Sequence, residues 1–144
     1  MAEFVVADAS VLLKWYLSEE EAHRDQALLL FERFKCGRVR IFLPELAFFE
    51  LGNRLARLSG GTKLFEDAVD LLTDVVRLDE GDLKEIVRIT AGLRDRGMKR
   101  ITAYDCAYIH LARLTASMLI TADRVQAEAA KAAGVGMVPL EDYC

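Results

Sequence analysis

A chain of 144 residues is long enough to bury a core of its own as one domain, and 53% hydrophobic with 29% charged residues excludes a disordered chain. Apolar runs such as Ala27 to Phe31 are too short to span a bilayer. A net charge of −4 argues against a protein that coats nucleic acid nonspecifically, but it leaves room for an enzyme that sets a local basic strip beside an acidic site.

Phe4 to Ala7 is a short apolar run flanked by acids, which predicts a buried strand. Asp8 then opens a short helix over Val11 to Leu17. Ser18 followed by Glu21 has the form of a capping box, with Glu19 and Glu20 suited to the positive end of the next helix, which should run to about Lys35 and stop near Gly37. Val39 to Leu43 is a second strand. Pro44 occupies a first-turn position, and Ala47, Leu51, Leu55 and Leu58 form one helical face that Gly60 and Gly61 end. Lys63 to about Asp74 is amphipathic and helical, Val75 to Leu78 a short strand, and Asp82 to Arg94 a helix closing before Gly97. Thr102 caps a helix through Leu114. Met118 to Thr121 is a strand, Asp123 caps a helix ending near Gly134, and Val135 to Leu140 is a final strand.

Strands alternating with helices, without two-residue hairpin signals, predict a parallel sheet covered on both faces: a three-layer α/β/α domain over 1–144. Ligands in such sheets bind beyond the carboxyl ends of the strands, where the strand order switches. Two runs end alike, Val5-Val6-Ala7-Asp8 and Leu119-Ile120-Thr121-Ala122-Asp123. If these strands are neighbours they lie about 5 Å apart, close enough for their acids to share a cation. Asp105, in the first turn of its helix, points out of the same end.

Each acid also has a purely structural reading. Asp8 and Asp123 suit N-caps, Asp105 suits a capping box with Thr102, and Glu50 suits an i,i+4 ion pair with Arg54. No glycine-rich phosphate loop follows the first strand. His110 lies five residues after Asp105, about 140° around the helix, and so faces elsewhere; a surface or satisfied core histidine is the better reading of it and of His23. Cys36, Cys106 and Cys144 show no metal or disulfide spacing, and Cys106 reads as a small core side chain. Glu3 and Asp8 interrupt the first apolar stretch, so no secretory leader is expected and the chain is read as cytoplasmic.

At these residues the sequence resembles the PIN-domain nucleases, in particular the VapC toxins of prokaryotic type II toxin–antitoxin pairs. Val5 through Trp15 is similar to the family's first strand and acid, and Pro44 through Glu50 to Asn53 resembles the second motif, with Asn three residues after the acid. Thr102-Ala103-Tyr104-Asp105-Cys106-Ala107-Tyr108 resembles the third and Leu119 through Asp123 the fourth. The resemblance implies a Mg²⁺- or Mn²⁺-dependent endoribonuclease, a homodimer and a cognate antitoxin. It also implies catalytic and metal-binding roles for Asp8, Glu50, Asp105 and Asp123. On that reading Asp8, Asp105 and Asp123 hold the main cation, Glu50 orients the attacking water or binds a second ion, and Ser10 and Thr121 support the acids. Lys14, Arg54 and Arg57 are expected to contact RNA, with Arg94, Arg96, Lys99 and Arg100 as a second basic run or simply a solvated loop. One departure stands out: some members carry a further acid after the last motif, where this chain has Arg124 and Val125. An RNA-processing nuclease, and a non-catalytic PIN or receiver-like binding module, are the alternatives. A receiver's paired acids and late lysine are not supplied by Ala7-Asp8-Ala9 and Val138-Pro139-Leu140.

Overall fold

The computed structural model describes residues 1–18 and 20–144. Among these, the strands β1 (Glu3–Ala7), β2 (Val39–Pro44), β3 (Val75–Val76), β4 (Met118–Thr121) and β5 (Met137–Pro139) form one sheet, all parallel, in the order β3-β2-β1-β4-β5. The helices between them are α1 (Ala9–Leu12), α2 (Arg24–Lys35), α3 (Leu46–Leu55), α4 (Gly61–Leu71), α5 (Glu80–Asp95), α6 (Ala103–Thr115) and α7 (Arg124–Ala132).

Both faces of the sheet are covered. Val5, Val6 and Ala7 in β1, and Leu119, Ile120 and Thr121 in β4, are buried consecutively, although successive side chains point to opposite faces. The edges are the short β3 and β5, the latter ending on Pro139, which limits how much unpaired backbone they offer. On α6 every residue from Cys106 to Ala112 is buried, so this helix is wrapped on all sides. His110 is buried there and only half satisfied, with Nε2 2.8 Å from Asp82 Oδ1 on α5 and Nδ1 without a partner among the described residues, and Cys106 is fully buried. Phe31 and Phe34 on α2 pack against Trp15, whose indole donates to the Ala27 carbonyl.

Several local expectations need correction. The first helix is one turn of α followed by a 3₁₀ turn over Leu13–Trp15. Ser18 and Glu21 form no capping box: the Ser18 carbonyl accepts the Glu21 N–H in a turn, while the Glu21 carboxylate is drawn to the buried Lys14 ammonium at 3.2 Å. Glu20 lies in that turn rather than at a helix start, and Glu19 lies outside the described residues. The next helix starts only at Arg24, from a left-handed His23 with φ 57°. Pro44 ends β2 instead of opening α3; the last position of a strand is where the missing N–H costs the ladder least. Leu58 falls beyond α3 and is exposed. The outer strands are shorter than their apolar runs because an edge strand has a neighbour on one side only.

The strand order makes β1 the point of reversal. From β1 the chain builds outward through β2 and β3, then returns to lay β4 and β5 on the other side. Just beyond the carboxyl ends of β1 and β4 the backbone is stitched across: the Asp8 N–H donates to the Ile120 carbonyl at 3.0 Å, and the Ala122 N–H to Ser10 Oγ at 3.2 Å. This is the crevice where open α/β sheets bind ligands.

Candidate active site

Four acids from four different elements line one pocket of about 340 Å³ at this crevice: Asp8, Glu50, Asp105 and Asp123, with Ser10, Asn53 and Arg54 beside them. Asp8 is the N-cap of α1. Its carboxylate accepts the Ser10 N–H at 3.0 Å and the Gln126 side-chain amide at 3.3 Å. Only 7% of Asp8 is exposed, and that burial pushes its carboxyl above the usual range; the Ser10 and Gln126 bonds oppose the shift and the Asp105 charge adds to it.

Asp105 completes a capping box at the start of α6. Its Oδ2 accepts from both the N–H and the hydroxyl of Thr102, while Thr102 Oγ accepts the Asp105 N–H. Burial raises its carboxyl, the charge of Asp123 raises it further, and the Thr102 bonds pull it back. Asp123 caps α7 through Oδ1, which accepts from the Val125 and Gln126 N–H groups; its own N–H donates to Thr121 Oγ1 at 3.0 Å. Glu50 projects from the middle of α3 and takes the Tyr108 hydroxyl on Oε1 at 2.7 Å. Burial, with the charges of Asp8 and Asp105, pushes Glu50 to about 7 in spite of that bond. The ion pair with Arg54 does not form.

The capping and site readings of these acids are therefore compatible. Capping occupies one oxygen of Asp105 and one of Asp123, and Tyr108 occupies one of Glu50. Asp105 Oδ1, Asp123 Oδ2 and Glu50 Oε2 accept no hydrogen bond among the described residues. The donor set is all oxygen, which suits a hard divalent cation; burial is the main reason these carboxyls are raised, and the charges of the neighbouring acids add to it. Because each carboxylate is turned toward its own protein donor, no three acidic, histidine or cysteine groups among the described residues stand as a ready-made ligand set.

Lys14 and Thr121 line a neighbouring cavity of about 490 Å³ that meets the pocket at Asp123, and Arg57 lines neither. The run from Arg94 to Arg100 lies outside the pocket. Arg94 and Lys99 donate to the Ile101 and Arg94 carbonyls, tying the turn between α5 and α6, and Arg96 reaches the Ala132 carbonyl. That is the solvated-loop reading of the run.

Sequence reasoning missed Gln126. It is fully buried, and its amide bridges Asp8 Oδ1 and the Asp105 carbonyl, while its own Oε1 has no partner. The available signal was its place three residues after Asp123, on the first turn of the same helix. Tyr108 likewise follows Asp105 by three, and its role on Glu50 was not foreseen.

The PIN domain family matches residues 5–132 of the chain. No curated protein matches the sequence significantly. Among solved structures, FitAcB from Neisseria gonorrhoeae is similar in fold, with a TM-score of 0.72 at 15% identity over 95% of this chain and 98% of that one. PAE2754 from Pyrobaculum aerophilum gives 0.64 at 23% identity over 97% and 90%. DNA-bound VapBC from Salmonella typhimurium gives 0.67 at 15% identity over 97% and 99%.

Proposed function

The chain belongs to the PIN domain family, and from that premise we propose that it is a divalent-metal-dependent endoribonuclease acting as the toxin of a toxin–antitoxin pair. The observation that carries the catalytic reading is the meeting of Asp8, Glu50, Asp105 and Asp123 in one pocket at the switch of strand order. The toxin reading draws on the resemblance of its four motifs and on structural neighbours that include VapBC.

Asp8, Asp105 and Asp123 are the residues that would hold Mg²⁺ or Mn²⁺; Asp105 and Asp123 each keep one carboxylate oxygen clear of their capping bonds. A cation held there would supply Lewis acidity, lowering the pKa of water and offsetting charge on the phosphate and on the leaving oxygen of an in-line displacement. Glu50 supports this from the α3 side. Its free Oε2 receives the proton of the attacking water while Tyr108 fixes the other oxygen, and a carboxyl held near 7 is suited to both states at neutral pH. Arg54 is the cation lining the pocket and contacts the RNA phosphate, with Arg57 one turn on. Ser10 and Thr121 orient the acids through hydrogen bonds to the backbone of Ala122 and Asp123.

A homodimer and a cognate antitoxin complete the reading. Leu83 and Val87, one turn apart on α5 and both more than half exposed, are apolar surface suited to such a contact.

The deciding measurement is cleavage of labelled RNA with Mg²⁺, Mn²⁺ or EDTA, beside Asp105→Asn. Cleavage is expected only with metal, and the variant is expected to be inactive yet folded, since asparagine retains an oxygen for the Thr102 cap. Metal-dependent cleavage by the variant would overturn the assignment of Asp105. Metal binding without turnover on any RNA would favour a non-catalytic PIN module.

A further inference from the structure

We propose that the cavity adjoining the carboxylate pocket receives one unstacked nucleobase of the RNA strand, guanine in preference to the others. This deepens the nuclease reading and rests on it. The cavity, at about 490 Å³, has the size of a small-ligand site and meets the pocket at Asp123, so a strand whose phosphate sits among the acids has a neighbouring base within reach of it. Its wall is built for a flat apolar face with a polar edge. Ala127, Met137, Pro139 and Leu140 supply apolar surface, while Arg124, Glu128 and Lys131 share the α7 face that carries Ala127, spaced three and four residues apart.

Lys14 points to a ligand independently. It is 7% exposed and lines the cavity, and among the described residues its ammonium makes one hydrogen bond, to Glu21, out of three available donors. Glu21 answers its charge, and the remaining donors can be taken up by a phosphate or carbonyl oxygen, both of which a nucleotide offers.

The preference for guanine follows from Glu128. Among the described residues it has no ion-pair partner, whereas Glu141 on the same wall stands 3.8 Å from His23. Guanine presents two adjacent donors, N1–H and the 2-amino group, to the two oxygens of one carboxylate. Adenine and cytosine set a single amino group beside an acceptor, and the uracil N3–H lies between two carbonyls that a carboxylate repels. Single-stranded RNA is commonly read in this way, through splayed bases recognised on their Watson–Crick edges.

The test is calorimetric titration of the whole protein in EDTA with GMP, AMP, CMP and UMP, with amide NMR shifts to locate binding. GMP should bind best, should shift amides of α7 and β5, and should weaken about tenfold in Glu128→Gln, the scale of a hydrogen bond to a charged group. Ala127→Leu, which projects into the cavity, should abolish binding. Glu128→Gln, at an exposed position, decides the matter should that variant fail to fold. Binding that neither variant alters, or no binding of any nucleotide, overturns the pocket. Metal-dependent RNA cleavage without base preference, alongside absent nucleotide binding, overturns the pocket and leaves the nuclease standing. Glu128-dependent GMP binding by a protein that cleaves no RNA supports the pocket and removes the nuclease reading. Protection of the α7 amides by a protein partner, with no response to any nucleotide, would give the cavity to a peptide and overturn the proposal.

Discussion

The side-chain amide of Gln126 ties two of the four acids together, donating to Asp8 Oδ1 at 3.3 Å and to the Asp105 carbonyl at 3.2 Å. It does so from a fully buried position and leaves its own Oε1 unpaired. These features pull stability and activity apart. Gln126→Met removes two donated bonds but also an orphaned buried oxygen, so the urea midpoint should move by less than about 1 kcal/mol of stability. Asp8, losing its orienting donor, should bind metal less well, and activity at limiting Mg²⁺ should fall about 10–100-fold, as for other supporting residues around metal ligands. A metal titration of cleavage beside urea unfolding checks both. A large stability loss with unchanged metal dependence would make Gln126 a packing residue only.

At the scale of elements, the site depends on helix starts. Three of the four acids sit in the first turn of a helix or just before it, where free N–H groups hold a carboxylate in a fixed direction. The fourth, Glu50, depends on how α3 is set, and α3 is fixed by its junction with α4. Gly60 and Gly61 at that junction do different work. Gly60 adopts φ 71°, open to solvent, where alanine costs about 1 kcal/mol of backbone strain. A Cβ on Gly61 would lie 1.6 Å from the Leu55 carbonyl oxygen, a clash with backbone that only movement of the two helices relieves. Gly61→Ala is therefore expected to cost about 2–4 kcal/mol in thermal or urea unfolding, and Gly60→Ala much less. Equal effects would mean that the junction is not packed as closely as the backbone contact requires.

The whole molecule carries the electrostatic consequence of gathering the acids. Asp8, Glu50 and Asp105 all hold their protons more tightly folded than unfolded, chiefly because they are buried and then because they face one another. The folded state thus binds more protons than the unfolded state between the ordinary carboxylate range and about 7, and stability falls as pH rises through that window. Without metal, the urea midpoint should be higher near pH 5 than near pH 8. Saturating Mg²⁺ should raise the midpoint chiefly at the higher pH, where the acids are ionised and bind it. A midpoint that rises with pH in EDTA would contradict the raised carboxyls that burial and neighbouring charge produce in this pocket. No described helix is long and apolar enough to cross a membrane.

The alternation of buried strands and amphipathic helices was legible in the sequence because it follows from local periodicity, and the strand over Met118–Thr121 and the caps at Thr102 and Asp123 were legible for the same reason. The four acids stood out because each follows a strand or enters a helix in a recurring pattern. The sequence alone did not tell a cap from a site residue, since both uses place an acid at the same helix end. Only the fold shows that Asp105 and Asp123 each cap with one oxygen, leave the other without a hydrogen bond among the described residues, and line the same pocket. The placements of Gln126, Tyr108 and Lys14 were likewise settled by packing. Each is brought to its partner or cavity by contacts between segments far apart in the chain, and Glu21 left its expected cap because a buried ammonium competes for it more strongly than a helix end does. Local pattern fixes what a residue does for its own helix, and tertiary packing fixes what its remaining polar atoms face.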